Sequence, residues 1–189
     1  EFGRVRAYLA QRMVALGLEP RLTAGPYPTL VGVLPGTDPA LPAIVLMAHA
    51  DSVPTGPGAA DDGAGVASAL EIVRALKAAG PHQRDVMVLI TDAEEAGLKG
   101  AKAFFRSSPL AARVGVILNM EARGDRGRVV MFETHRQAGA LLGALAGRGA
   151  LHGASSLMPD LYRRLPNDTD LSVALRAGHQ GLNFAFFDG

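Results

Sequence analysis

Three apolar runs constrain this chain more than any other feature: Ile44 to Ala48, Val86 to Ile90 and Val114 to Leu118. Each is continuous rather than alternating, the pattern of a strand buried on both faces of a parallel sheet. Each also ends in residues able to hold cations or move protons: His49 and Asp51 after the first, Glu94 and Glu95 after the second, Glu121 after the third. In an open α/β sheet the carboxyl ends of the strands form the crevice where ligands bind, so these endings are expected to meet. A Pro/Gly-rich loop after Asp51 returns the chain to Asp61 and Asp62 at the mouth of a helical pattern, which brings a further carboxylate to the same edge. Taken singly, a His-x-Asp or a Glu-Glu pair is more often a solvated polar loop than a site. The coincidence of three strand ends is what argues for one.

The remaining elements follow from periodicity and punctuation. Phe2, Val5, Tyr8 or Leu9, Met13 and Leu16 recur at helical spacing up to Gly17, predicting a helix over 2–16. Arg21 to Thr23 and Thr29 to Leu34 read as short strands at the sheet edge. Val66, Leu70, Val73 and Leu76 mark a helix behind Asp61 that stops at Gly80, and a further helix runs through Ala103, Phe104 and Phe105. Arg128 to Phe132 reads as a strand, Gln137 to Ala146 as a helix, and Ala154 to Leu157 as a short strand. Asp168 or Thr169 caps a helix through Leu171 and Leu175, and Leu182 to Phe187 makes a last strand. Strands alternating with helices predict an α/β fold, a three-layer sandwich around a mixed, largely parallel central sheet.

Composition narrows the function classes. With 189 residues, 48% of them hydrophobic, and no linker or repeat, the chain is expected to be one domain with a real core. Nineteen basic against 18 acidic residues give a net charge of +1, so no nucleic-acid partner is expected. No apolar run reaches the roughly 18 residues of a membrane span. Cysteine is absent, so any metal must be held by His and carboxylates.

Hard oxygen ligands with an imidazole suit zinc, less often cobalt or manganese. If Asp61 bridges two ions, with His49 and Glu121 on one and Glu95 on the other, a water shared across about 3.5 to 4 Å becomes a nucleophile near neutral pH. Glu94 is then placed to take the water's proton and hand it to a leaving amine, and Asp51 to accept the second ring N–H of His49. The reaction class is amide hydrolysis. Asp62 reads as a helix cap, and Asp92 and Asp168 as turn or cap residues. His82, His135, His152 and His179 do not obviously supply another ligand, although His135 is the best placed to line the cleft. Arg123-Gly124-Asp125 and Asn167-Asp168-Thr169 match an adhesion tripeptide and a glycosylation acceptor, and chance accounts for both.

The stretches AHADSVPTGPGAADDGAG, TDAEEAGLKGA and LNMEARG, in this order and spacing, resemble metallopeptidase family 28, the co-catalytic di-zinc aminopeptidases. Glu121 in NMEARG, PNDTD around Asn167 and the closing LNFAFFDG are similar to its vacuolar and endoplasmic reticulum membrane protease branch. The resemblance covers roughly Leu41 to Gly189 and implies His49 and Glu121 on one zinc, Asp61 bridging, Glu95 on the other, Glu94 as base and Asp51 as the orienting carboxylate. It also implies a cis peptide at Asp61–Asp62 and a second-zinc His after the last strand. No such His follows FAFFDG, so the chain reads as a piece of a longer protein, cut at both ends. The substrate so implied is a peptide or an N-terminal amino acid. The resemblance also favours an extracytoplasmic location, periplasmic, secreted or membrane-anchored, with any membrane attachment through segments outside these residues. Carboxypeptidase, dipeptidase and glutaminyl cyclase activities on the same scaffold, and a non-catalytic binding domain, are the alternatives. The absence of a lid insertion after Glu121 argues against a lid-bearing dipeptidase, and the intact acidic set argues against decay.

Overall fold

The computed structural model describes residues 2–122, 124–147 and 157–188. In chain order the elements are α1 (Phe2–Ala15), β1 (Arg21–Leu22), β2 (Leu30–Leu34), β3 (Ala43–His49), α2 (Gly65–Ala79), β4 (Val86–Thr91), α3 (Lys99–Ser107), β5 (Val114–Ala122), β6 (Arg126–Thr134), α4 (Gly139–Ala146), α5 (Leu157–Tyr162), α6 (Asp170–Arg176) and β7 (Gln180–Asp188). The strands form one sheet in the order β1-β2-β4-β3-β5-β7-β6. The pairings β4-β3, β3-β5 and β5-β7 are parallel, and the outer pairings are antiparallel. The sheet is therefore mixed with a parallel centre, as the apolar runs predict.

Alternation along the strands makes the layers. Val45 and Met47 of β3, Met87 and Leu89 of β4 and Ile117 of β5 face Phe104 of α3 and Leu171 and Ala174 of α6. Leu46 and Ala48, with Val88 and Ile90, face Leu9 and Met13 of α1 and Val66, Ala69 and Val73 of α2. Helices on both faces complete three layers and explain why the central runs are apolar throughout.

Some elements differ from expectation. Of the two strands expected at the edge, β1 alone lies there: β2 pairs with β1 on one side and with β4 across Leu30 to Leu34 on the other. The third apolar run does not end at Leu118, because pairing with β7 continues to Ala122, so Asn119 and Glu121 lie inside β5. Around Asp61 the chain makes an irregular turn, Ala59–Ala64, before regular helix begins at Gly65. The strand expected over Ala154 to Leu157 falls at 154–156 outside the described residues, and Leu157 opens α5.

One irregularity sets the level of the central strands. Ala43 pairs with Val114 but Ile44 with Val116, so Gly115 is an extra residue in β5, a β-bulge. A Cβ on Gly115 would lie 2.7 Å from Pro42 Cβ and 3.1 Å from the Ala43 carbonyl oxygen, a space that only glycine fits. Gly115→Ala is expected to cost about 1–3 kcal/mol through overpacking. Urea unfolding checks this, and an unchanged midpoint would show that the bulge tolerates a side chain.

Candidate metal centre

Strand geometry brings His49 and Glu121 together. Met47 and Asn119 are register partners in β3 and β5, and one pleat further on, on the same face, come His49 and Glu121. His49 Nε2 lies 3.8 Å from Glu121 Oε2. Asp61, from the turn before α2, places its Oδ1 3.0 Å from the same Nε2. The ligand atoms of His49, Asp61 and Glu121 all lie within 4.8 Å of one another, the only such His/Asp/Glu cluster among the described residues. His49 and Glu121 are buried, while the Asp61 side chain is half-exposed and gives the cluster an open side.

The neighbouring acids hold the cluster in place. Asp62 is buried, and its carboxylate accepts the His49 backbone N–H at 3.1 Å and the Gly65 N–H at 3.1 Å. It therefore ties the end of β3 to the start of α2, a wider role than the cap expected of it. The Asp61–Asp62 peptide is cis. Asp51 departs from expectation in part. The contact of His49 Nδ1 at 3.0 Å is with the Asp51 carbonyl oxygen, and the Asp51 carboxylate stands 3.7 Å away. That carboxylate instead accepts the backbone N–H groups of Glu94 and Glu95, at 3.0 and 3.1 Å. Ala93, in left-handed backbone at φ 56, turns the chain after β4 so that both N–H groups face Asp51.

Glu94 is half-buried behind the cluster. Glu95 is exposed and stands outside the three-residue group, although the Asp61 charge reaches it and, after burial, is the next cause raising its pKa. Asp92 is a turn residue, accepting the Ala93 N–H and pairing with Arg6 at 3.4 Å. Asp168 pairs with Arg176 at 2.9 Å, and Thr169 is the α6 cap. His135 and His179 line a separate cavity of about 580 Å³, and neither they nor His82 join the cluster; His152 lies outside the described residues. A cavity of about 1010 Å³ on the α1/α2 side touches His49 but not Asp61, Glu94 or Glu121.

Sequence reasoning missed Asp170. It is buried on the site's face, where Thr91 Oγ1 donates to its Oδ2, and its Oδ1 has no hydrogen-bond partner among the described residues. Its charge raises the pKa values of both Glu94 and Glu121. The available signal was the second Asp of PNDTD, which reads equally well as part of a helix cap.

The electrostatics are those of a site rich in negative charge. Burial works against the imidazolium of His49, but Asp51, Asp61, Glu121 and Asp62 outweigh it and push its pKa up to about 12. Burial pushes Glu121 well above the usual carboxylate range and Asp62 up to about 7. Burial, then the charges of Asp170, Glu95 and Asp51 against the relief from His49, push Glu94 up to about 8. An imidazole and carboxylates converging with their charges unfavourably buried are a donor set that fits a divalent cation such as zinc.

An α/β sandwich carrying a His/Asp/Glu cluster at the carboxyl edge of its parallel strands defines a candidate metalloprotein. The chain belongs to Peptidase family M28, whose sequence model matches residues 29–189. It is 35% identical over 156 residues to the vacuolar membrane protease of Clavispora lusitaniae, covering 80% of this chain and 15% of that protein. To the vacuolar membrane protease of Lachancea thermotolerans it is 33% identical over 172 residues, covering 89% of this chain and 18% of that one. The chain thus spans 15% and 18% of the lengths of these two relatives. Among solved structures, the fold is similar to the Legionella pneumophila LapA aminopeptidase at TM-score 0.73 and 18% identity, over 96% of this chain and 54% of that one. It is also similar to BSAP, a zinc aminopeptidase from Bacillus subtilis, at TM-score 0.63 and 23% identity, over 84% and 39%. Porphyromonas gingivalis glutaminyl cyclase shares the fold at TM-score 0.71 and 17% identity, over 95% and 73%.

His49, Glu94, Glu121 and Asp62 all hold protons more tightly in the folded chain than their ordinary values imply. The folded state then binds more protons than the unfolded one, and stability falls as pH rises; Asp51, whose pKa is lowered despite burial, works the other way and is outnumbered. In chelator-treated protein the melting temperature is expected to fall from pH 4.5, the ordinary Glu value, to about pH 8, the value for Glu94. The rise on adding zinc is expected to grow over the same window, since zinc competes with those protons. A metal-free melting temperature that climbs across it would contradict this account of the site.

Proposed function

We propose that this chain is the catalytic unit of a zinc-dependent peptidase, most specifically an aminopeptidase. The observation that carries this reading is the convergence of His49, Asp61 and Glu121 beside a half-buried Glu94, whose pKa lies near neutrality. Zinc held by His49, Asp61 and Glu121 would polarise a substrate carbonyl and lower the pKa of a water towards neutrality. Glu94 would accept the proton of the attacking water and deliver it to the departing amine, a role suited to a carboxylate whose pKa is raised towards the working pH. Asp51 would serve this base by fixing the backbone from which Glu94 projects, through its two N–H contacts, while its carbonyl orients the His49 ring.

A second ion is part of the proposal, shared through Asp61 and completed by Glu95, whose charge is coupled to that of Asp61. Cobalt or manganese would substitute, given the oxygen-rich donor set. The substrate is a peptide with a free N-terminus, its ammonium met by the acidic lining of Glu121 and Glu94. That the relatives are vacuolar membrane proteases supports an extracytoplasmic, membrane-associated setting. No helix among the described residues is long and apolar enough to cross a membrane, so attachment would come from segments outside them.

The experiment is hydrolysis of free against N-acetylated aminoacyl arylamides by zinc-loaded protein, with Glu94→Gln in parallel. Only the free-amine substrates are expected to turn over, and Glu94→Gln is expected to bind zinc normally while kcat drops by roughly 10²–10⁴-fold. Turnover of the acetylated substrate would remove the aminopeptidase assignment. Ring closure of an N-terminal glutaminyl peptide without cleavage would replace it with cyclase activity. Zinc counted at one ion per chain would remove Glu95 from the ligand set.

A further inference from the structure

A buried row of polar side chains crosses the sheet beneath the cluster, and the proposed hydrolytic chemistry does not use it directly. Asn119 of β5, Asn183 of β7 and Glu133 of β6 are cross-strand register partners: Asn119 pairs with Asn183, and Asn183 with Glu133. All three are buried. The hydrogen bonds along the row run in one direction. Glu133 accepts from Ser172 Oγ at 2.8 Å, from Thr169 Oγ1 at 3.2 Å and from Asn183 Nδ2 at 3.0 Å. The two hydroxyls have no choice in this. Ser172 Oγ already accepts the Thr169 N–H, and Thr169 Oγ1 already accepts Asn183 Nδ2, so their protons are left for Glu133.

The direction then propagates. With its Nδ2 turned to Glu133, Asn183 presents Oδ1 to Asn119, whose Nδ2 donates to it at 3.0 Å. The same Nδ2 donates to Glu121 Oε1 at 3.1 Å. Asn119 Oδ1 is left without a partner among the described residues, a cost that the opposite amide orientation would exchange for oxygen facing oxygen at both Asn183 and Glu121. Glu121 is thereby divided: Oε1 is held by Asn119, and Oε2 is the oxygen that faces His49 Nε2.

We infer that Glu133, acting through Asn183 and Asn119, is a positioning residue that fixes the orientation of the Glu121 carboxylate, with one oxygen held and the other presented to a metal ion. The inference rests on the reading of Glu121 as a ligand and adds a control that lies two strands away. A carboxylate is required at 133 because it accepts but cannot donate. Glutamine there keeps the shape yet brings an NH₂ that must meet one of the donors, which lets the row reverse. The charge can also be moved. With Glu133→Gln and Asn183→Asp together, the glutamine amide donates to the new carboxylate, which still accepts from Asn119, and the direction at Glu121 is restored.

The test is zinc affinity by competition with a chromophoric chelator, for the wild type, Glu121→Ala, Glu133→Gln and the double variant, with melting temperatures of the chelator-treated proteins recorded alongside. Glu133→Gln is expected to weaken zinc binding by about 10–100-fold with the fold retained, and the double variant to recover most of that loss. Weakening without recovery would reduce the row to packing and overturn the inference, as would wild-type affinity in Glu133→Gln. If Glu121→Ala itself binds zinc as tightly as the wild type, the ligand assignment fails first, and the inference fails with it. Should Glu133→Gln fail to fold, Asn119→Leu removes the bonds to Asn183 and Glu121 with Glu133 left in place: the same 10–100-fold loss supports the row, and unchanged affinity overturns it.

Discussion

Burying a carboxylate costs several kcal/mol unless donors or a cation meet it, and this chain buries or half-buries carboxylates side by side at one edge of its sheet. Most are met by donors the fold supplies. Asp62 takes two backbone N–H groups, Asp51 takes two more, and Glu133 takes two hydroxyls and an amide. Glu121 has one of its oxygens served by Asn119 and the other turned to His49, and Asp61 Oδ1 also faces that ring. The difference separates scaffold from chemistry: acids saturated by fixed donors hold the chain, and acids left with an unserved oxygen beside an imidazole are the ones able to bind a cation. Sorted this way, Asp51 belongs with the scaffold through its carboxylate and with the site only through its carbonyl. Residue type alone does not show this.

The legible part of the site was the part written locally. Strand, polar ending and turn sit within a few residues of each other at His49, Glu94 and Glu121, so apolar continuity followed by acid was enough to find them. Asp62 was legible as a cap for the same reason. Asn183 and Glu133 were not, because a polar residue inside an apolar strand gains its meaning from what lies across from it, and β5-β7-β6 pairing joins positions 119, 183 and 133, far apart in the chain. Asp170 was missed because Thr169 and Ser172 form a real capping box. A helix start accounts for the motif without any site. The position of β2 was misread for a related reason: length and Gly/Pro punctuation suggest an edge, but only the order β1-β2-β4 shows that a two-residue strand covers it.

The capping box joins these two kinds of information. Thr169 and Ser172 satisfy the start of α6, and the same hydroxyls deliver their protons to Glu133. A helix cap, ordinarily a local device, here also determines the direction of a hydrogen-bonded row that reaches Glu121. The two residues that fix α6 against the sheet are therefore the two that orient the row, and displacing the helix would disturb both at once.

All of this depends on the parity of β5. Before the bulge Ala43 stands level with Val114, and after it Met47 stands level with Asn119. The packing records the change, since Val114 and Ile117, of opposite parity, both face the α3/α6 layer. Had the pairing run on from Ala43 and Val114 with no bulge at Gly115, Met47 would stand level with Leu118 and His49 with Met120. Leu118 and Met120 pack on the α1/α2 face. Because side chains alternate along a strand, a one-residue slip sends every side chain beyond it to the other face. Asn119 and Glu121 would then point away from His49, and the apolar pair would occupy the site. The single residue that the close approach of Pro42 and Ala43 restricts to glycine is thus what puts an acid, rather than methionine, beside the imidazole.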